Sequence, residues 1–150
     1  MWARNNGRSV ATGLQRYSIL RRIVPNPSRH SHRSAALKVL FVDDDKATTD
    51  SLAAIAEALG HEASKAYSSA AALLLARGTQ FDLILLDVQL GDGDGRTICT
   101  QLRDHGQSRN AHIVAVTGHV GLEKELNLGD FNGYIVKPIE FEQLEDLLMS

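Results

Sequence analysis

Two patterns of hydrophobic and polar residues alternate along the chain from residue 37 onward. Short continuous apolar runs predict buried strands, and longer stretches with regularly spaced apolar residues predict amphipathic helices. The predicted strands span 38–43, 62–67, 82–87, 112–117 and 133–137. The predicted helices span 46–59, 69–77, 95–105, 120–127 and 140–148.

Five consecutive strand–helix pairs predict an α/β fold in which helices cover both faces of a parallel sheet. Right-handed crossovers leave few arrangements. We therefore expect a flavodoxin-like, doubly wound (βα)5 fold with its five strands in the order 2-1-3-4-5. The apolar helix positions expected to face inward are Leu52, Ile55, Leu59, Ile98, Leu102, Phe141, Leu144, Leu147 and Leu148. Gly60 and Gly78 are expected to end the first two helices.

Polar residues stand at the ends of four predicted strands. Asp43 and Asp44 follow the first strand, Asp87 ends the third, Thr117 ends the fourth, and Lys137 ends the fifth. The carboxyl ends of parallel strands lie along one edge of the sheet, which is where ligands bind in open α/β folds. We therefore expect these side chains to lie close together.

The chemistry of this set suits a divalent cation and a phosphoryl group. The carboxylates of Asp43, Asp44 and Asp87 would repel one another unless a cation lay among them, and oxygen ligands favour Mg²⁺. Lys137 would supply a positive charge to the phosphoryl oxygens, and Thr117 would donate a hydrogen bond. Asp87 would be the nucleophile that forms an aspartyl phosphate. The alternative, that each acid merely caps a loop or helix, accounts less well for the joint pattern.

The net charge of −2 hides a strong asymmetry. Residues 1–36 carry seven arginines and no acid, whereas residues 37–150 carry a charge of −9. We expect a basic N-terminal arm at 1–36 and one globular domain at 37–150. The favoured interpretation of the arm is a solvated, disordered tail. A short amphipathic helix over 9–24 that docks on a partner or an anionic surface, or an organellar transit peptide, remain alternatives.

Composition excludes several other classes of function. Cys99 is the single cysteine, so neither an internal disulfide nor a cysteine-rich metal site is expected. No apolar run approaches the ~20 residues of a membrane span, and a cytoplasmic location is expected. The acidic globular part disfavours direct binding of nucleic acid.

Four short motifs in order resemble the receiver domain of two-component response regulators over residues 37–149. They are Val42-Asp43-Asp44-Asp45, Leu86-Asp87-Val88-Gln89-Leu90 with Asp94-Gly95, Val116-Thr117-Gly118 and Tyr134-Ile135-Val136-Lys137-Pro138. The resemblance implies that Asp87 is the phosphoacceptor, with Thr117 and Lys137 as the switch hydroxyl and the phosphate-binding lysine.

The resemblance also implies a set of metal ligands and a switch. Asp44, Asp87 and the backbone carbonyl of Gln89 would bind Mg²⁺ directly, and Asp43 would bind it through water. Tyr134 would be the aromatic residue that rotates when the domain is phosphorylated. Gln89 and His119 occupy the family's two variable positions that tune the lifetime of the phosphoryl group.

This chain departs from the family pattern in two segments. Leu90-Gly91 stands where the family usually has Met-Pro, so the glycine-rich loop 91–95 is expected to be more flexible. The stretch from Thr117 to Lys137 is short for the family, so the helix predicted at 120–127 is expected to be truncated or loose.

The resemblance implies partners rather than a substrate. The phosphoryl donor would be a sensor histidine kinase or a histidine phosphotransfer protein, and a downstream protein would read the face formed by 120–127, 133–137 and 140–148. The same face could form a homodimer. The domain would catalyse only its own phosphorylation and dephosphorylation.

Because no output domain follows 140–148, a stand-alone receiver is favoured over the receiver of a hybrid histidine kinase. A haloacid-dehalogenase-type phosphatase built on Asp43, Asp45 and Thr48 is a distant alternative.

Overall fold

The computed structural model describes residues 35–118 and 129–149. Most of the predicted basic arm and the predicted helix at 120–127 therefore lie outside the described residues. His119, predicted to tune the phosphoryl lifetime, lies outside them as well.

The described residues form strands and helices that follow the predicted alternation. The strands of the main sheet are β1 (Lys38–Val42), β2 (Glu62–Ala66), β3 (Leu83–Asp87), β6 (His112–Thr117) and β7 (Gly133–Val136). A short hairpin inserted after β3 contains β4 (Gln89–Leu90) and β5 (Gly93–Asp94). The helices are α1 (Lys46–Ala58), α2 (Ser69–Gly78), α3 (Gly95–Asp104) and α4 (Phe141–Met149).

The main sheet has five parallel strands in the order β2-β1-β3-β6-β7. This confirms the predicted order 2-1-3-4-5, because the hairpin β4–β5 forms a separate two-stranded sheet. All five residues of the central strand β3 are buried. A continuous apolar run of this kind is typical of a parallel strand that is covered on both faces.

Side chains alternate between two cores, one on each face of the sheet. On β1, Leu40 and Val42 belong to the core that also contains residues of α2 and α3. Val39 and Phe41 belong to the opposite core, to which α1 and α4 contribute. The prediction that helices cover both faces is thus confirmed, and the cores hold the carboxyl ends of the strands in fixed relative positions.

Three helices begin at a side chain that caps them. Asp45 accepts a hydrogen bond from the Thr48 amide at the start of α1, Ser68 caps α2, and Asp94 caps α3. At the other end of α1, Gly60 has a φ of +92°, the left-handed conformation that commonly follows a helix.

Two inward positions were predicted wrongly. Phe141 is 51% exposed, because it is the first residue of α4 and the buried face of that helix begins one turn later, at Leu144. Leu59 is 39% exposed because it is the residue at which α1 ends. The fully buried residues of α1 are instead small ones, namely Thr49, Ala53 and Ala56.

Candidate functional site at the carboxyl edge of the sheet

Three carboxylates meet where β1 and β3 end. Asp43 follows β1, Asp87 is the last residue of β3, and the two strands are neighbours in the sheet. One carboxylate oxygen from each of Asp43, Asp44 and Asp87 lies within 4.8 Å of the others. The topology therefore brings together the acids that the sequence placed at separate strand ends.

The three acids differ in burial. Asp43 is 7% exposed and Asp87 is 4% exposed, whereas Asp44 is open to solvent. The Oδ1 atom of Asp43 accepts a hydrogen bond from the Asp45 amide at 2.9 Å. The Oδ1 atom of Asp87 accepts one from the Gln89 amide at 3.0 Å. These backbone contacts fix the two buried carboxyl groups in orientation.

Lys137 bridges the two buried acids. Its Nζ atom lies 2.8 Å from Asp43 Oδ2 and 3.1 Å from Asp87 Oδ2. Its own backbone amide donates to the carbonyl of Thr117 at 2.7 Å, and its peptide bond with Pro138 is cis. Burial opposes the charged form of the lysine, but the hydrogen bonds to Asp43 and Asp87 outweigh it, so the pKa of Lys137 is raised.

The pKa of Asp87 is also raised, and burial is the main cause. The Gln89 amide and Lys137 both favour the ionised form of Asp87, but they do not outweigh the loss of solvent and the nearby charge of Asp43.

Thr117 and Tyr134 lie on the two strands beyond β3. Thr117 ends β6 and is 3% exposed, and Tyr134 is partly buried against the core formed with α2 and α3. In the pairing of β6 with β7, Thr117 lies opposite Val136, the residue before Lys137. Thr117 is therefore held at the same edge as the acids.

The donor set fits a hard divalent cation. Three carboxylates offset by one lysine leave a local excess of negative charge, and their oxygens are the ligand type that Mg²⁺ prefers. Gln89 begins β4 directly beyond Asp87, so its backbone is adjacent to the cluster. Asp43, Asp44, Asp87 and the Gln89 carbonyl are the groups that could hold such an ion.

The hairpin β4–β5 was not predicted from the sequence, nor was the close packing of the glycines in its turn and directly after it. A Cβ atom at Gly95 would collide with the backbone carbonyl oxygen of Asp87 and would lie 2.8 Å from Val88 Cα. A Cβ atom at Gly91 would lie 3.3 Å from Asp44 Oδ2. The alternation of Gly and Asp over 91–95 was the available signal, because glycine permits such close approach of backbone.

None of the helices within 35–118 and 129–149 combines the length and the apolar character that crossing a bilayer requires.

Known sequences resemble this chain over the same segment that carries the four motifs. A sequence model described as "Response regulator receiver domain" matches residues 39–149. The chain is 33% identical over 116 residues to the signal transduction histidine-protein kinase BarA of Shigella flexneri, covering 76% of this chain but 13% of that protein. It is 32% identical over 114 residues to the polar-differentiation response regulator DivK of Brucella ovis, covering 75% of this chain and 93% of DivK.

Comparison with solved structures agrees with this assignment. The chemotaxis response regulator CheY4 of Vibrio cholerae superposes with a TM-score of 0.70 at 27% identity, covering 76% of this chain and 97% of that one. A response regulator from Burkholderia pseudomallei with a phosphorylated aspartic acid and a calcium ion superposes with a TM-score of 0.67 at 26% identity. That match covers 75% of this chain and 66% of the other.

Proposed function

Because the chain belongs to the response regulator receiver family, we propose that it is a phosphorylation-dependent signalling switch with Asp87 as its phosphoacceptor. The observation that carries this proposal is the position of Asp87. It is buried at the end of the central strand, within 4.8 Å of two other acids and 3.1 Å from the Lys137 ammonium. A nucleophile, its charge partner and a cation-binding cluster therefore share one edge of the sheet.

The proposed reaction is the transfer of one phosphoryl group. An Asp87 carboxylate oxygen attacks the phosphorus of a phosphohistidine, a new P–O bond forms, and the P–N bond to the donor imidazole breaks. The departing imidazole keeps the bonding electrons. The product is an acyl phosphate on Asp87, which water can later hydrolyse to restore the carboxylate.

Lys137 and Thr117 are proposed to hold the phosphoryl group once it is attached. The Lys137 ammonium, which contacts Asp87 Oδ2 before the reaction, would bind a phosphoryl oxygen afterwards. The Thr117 hydroxyl would donate to another. Asp44, Asp87 and the Gln89 carbonyl would hold Mg²⁺ directly and Asp43 would hold it through water, so that the ion would supply positive charge near these oxygens.

The output is proposed to depend on Tyr134 and its strand. When Thr117 moves toward the phosphoryl group, the space beside β6 changes, and the partly buried Tyr134 on β7 would rotate into it. The face that contains β7 and α4 would then change its protein contacts, either with a downstream target or with a second copy of the chain. Phe141 and Met149 on α4 are exposed there.

The lifetime of the phosphoryl group is proposed to depend on Gln89 and His119. The Gln89 side chain is exposed and begins the hairpin next to Asp87. Replacing Gln89 by Ala and His119 by Ala should change the decay rate of the aspartyl phosphate. An unchanged decay rate in both variants would contradict this assignment.

The phosphoryl donor is proposed to be a sensor histidine kinase or a histidine phosphotransfer protein. DivK, which this chain matches over 93% of its length, is named a response regulator and supports a stand-alone receiver. BarA, of which the chain spans 13%, is named a histidine-protein kinase and favours a second candidate, the receiver of a hybrid kinase relay. The two candidates would be distinguished by comparing the rate of phosphoryl transfer to this chain from a purified phosphotransfer domain with the rate from a kinase core.

The structure offers no reason to prefer a haloacid-dehalogenase-type phosphatase. Asp45 is engaged as the cap of α1, where both of its carboxylate oxygens accept hydrogen bonds from Thr48. That alternative would also leave Asp87 without a role at the centre of the acidic cluster. Membership of the receiver family supports the aspartyl phosphate switch instead.

The proposed function is tested by locating the phosphoryl group. The protein is incubated with acetyl phosphate and Mg²⁺, then digested, and the modified peptide is sequenced by mass spectrometry. We expect a base-labile adduct on the peptide that contains Asp87, and its loss when Mg²⁺ is chelated. An adduct on another residue, or none at all, would contradict the proposal.

A further inference from the structure

The hairpin that follows Asp87 is too short to be stable by itself. Strands β4 and β5 contain two residues each and are joined by the turn Gly91–Asp92. Two-residue hairpin turns usually need a positive φ at their first residue, which Gly91 does not have. Isolated hairpins are marginal even when longer, so other contacts must hold this one in place.

Asp92 supplies such a contact at the tip of the hairpin. Its carboxylate oxygens accept hydrogen bonds from the Ser69 amide at 2.9 and 3.0 Å, and one of them accepts from the Ala70 amide at 3.4 Å. Helix α2 has no acidic residue in its own first turn. Asp92 therefore provides the negative charge that a helix N-terminus favours, through hydrogen bonds that its charge strengthens.

The turn also fits tightly between α2 and the acidic cluster. A Cβ atom at Gly93 would lie 2.8 Å from the Ser69 hydroxyl oxygen, so a larger residue there would force the Ser69 side chain or the hairpin to move. On the other side, Gly91 leaves room for Asp44, whose Oδ2 atom would lie 3.3 Å from a Cβ at that position. Tying the turn to α2 thus keeps it against Asp44.

We propose that Asp92 is a positioning residue for the divalent cation, because it holds the β4–β5 hairpin against Asp44 and keeps the Gln89 backbone beside Asp87. Gly91 does little to restrict its own backbone, so the hydrogen bonds that Asp92 accepts at the start of α2 supply the restraint on this turn. This inference rests on the proposed function, since it concerns the proposed Mg²⁺ site.

The test measures Mg²⁺ affinity by calorimetry in matched variants of the full chain. We expect Asp92→Ala to weaken Mg²⁺ binding about tenfold, the size typical for groups that orient metal ligands. Asp92→Asn should have a smaller effect, because its amide oxygen still accepts hydrogen bonds but carries no charge. Asp104→Asn, at an exposed position ending α3, removes one charge elsewhere and should leave the affinity within about twofold.

The Ser68→Ala variant distinguishes a loss of metal positioning from a loss of stability in α2. Ser68 caps the same helix by accepting from the Ala71 amide at 3.1 Å, so its removal weakens α2 while the Asp92 hydrogen bonds remain. We expect Ser68→Ala to bind Mg²⁺ like the wild type. Wild-type affinity in Asp92→Ala, or equal weakening in Ser68→Ala and Asp92→Ala, would overturn the proposal.

Amide hydrogen exchange, measured in metal-free protein, tests the role of Asp92 independently of the proposed function. If the wild type binds no Mg²⁺, the proposed function fails, and amide hydrogen exchange in metal-free protein then decides the role of Asp92. Asp92→Ala should speed the exchange of the Gln89 amide, and Ser68→Ala should not. Unchanged exchange in Asp92→Ala would overturn the positioning role.

Discussion

The two edges of the central sheet both gather charged side chains, but they use them in opposite ways. At the amino edge, the Asp82 carboxylate accepts a hydrogen bond from the Lys38 amide at 2.8 Å. The Arg103 guanidinium there donates to the Asn132 side chain and to backbone carbonyls, including that of Asp130 at 3.0 Å. At the carboxyl edge, the buried acids Asp43 and Asp87 lie close together and both contact Lys137.

This difference indicates which charges serve folding and which serve chemistry. A charged group that is saturated by backbone partners completes hydrogen bonds that the fold itself leaves open. Clustered like charges cost stability and are retained where a ligand or reaction needs them. The amino edge is therefore structural, and the carboxyl edge is the site of the proposed phosphoryl transfer.

The largest expected effect comes from removing the basic residue at the carboxyl edge. Lys137→Met should slow phosphorylation of the protein by acetyl phosphate about a hundredfold, because the transition state loses a charged hydrogen-bond donor. Lys38→Met, at an exposed position that begins β1 at the opposite edge, serves as the control and should react normally. Phosphorylation rates are measured by intact mass. Equal rates in Lys137→Met and the wild type would remove the proposed distinction between the edges.

Replacing Arg103, the basic residue at the amino edge, should lower stability but leave the phosphorylation rate nearly unchanged. Arg103→Met removes the guanidinium that donates to three backbone carbonyls and to the Asn132 side-chain oxygen, which keeps only its bond from the Ile113 amide, so the free energy of unfolding should fall by about 2–4 kcal/mol. Chemical denaturation measures this loss. At temperatures where the variant is folded, its phosphorylation rate should stay within about twofold of the wild type. A folded variant that cannot be phosphorylated would contradict a purely structural role.

A third variant tests the close packing of Gly95 against the backbone of Asp87. Gly95→Ala forces a methyl group against the Asp87 carbonyl, so the free energy of unfolding should fall by about 2 kcal/mol. Gly78→Ala is the control, since a Cβ there meets nothing within 4 Å and should raise stability by about 0.5 kcal/mol. Equal stability of the two variants would show that the backbone under the site can adjust freely.

The smallest expected effect is on the pH dependence of stability, and it comes from Cys99, which is buried in the core between the two edges. Burial raises the pKa of Cys99 from 9.0 to about 12. The folded protein therefore holds the thiol proton more tightly than the unfolded chain does. The resulting stabilisation is complete below pH 9 and is lost as pH rises toward 12. Between pH 8 and 10 the wild type should lose on the order of 1 kcal/mol more than Cys99→Ala. Identical pH dependence in both proteins would contradict the burial effect.

Much of the fold and of the site could be predicted from the sequence because their signals are local. The strand β6 has the predicted bounds 112–117, and β3 differs from its prediction by one residue. Apolar runs bounded by polar residues specify such strands directly. The proximity of Asp43 to Asp87 could also be predicted from the strand order, since the carboxyl ends of adjacent parallel strands are neighbours.

What the sequence did not reveal depends on contacts between distant segments. The hydrogen bonds from Ser69 and Ala70 to Asp92 cross more than twenty positions of the chain, and no periodic pattern encodes them. The exposure of Phe141 likewise depends on which turns of α4 are covered by the core, and that cover begins only at Leu144. Hydrophobic character alone could not specify that position.

One measurement tests the contrast between the edges with two aspartates that flank the same strand. Asp82 precedes β3 and Asp87 ends it, so Asp82→Asn and Asp87→Asn make the same chemical change at opposite edges. Each protein is incubated with acetyl phosphate and Mg²⁺ and its intact mass is recorded. The account predicts a gain of about 80 Da, one phosphoryl group, in the wild type and Asp82→Asn but none in Asp87→Asn. A full adduct on Asp87→Asn, or none on the wild type, would contradict it.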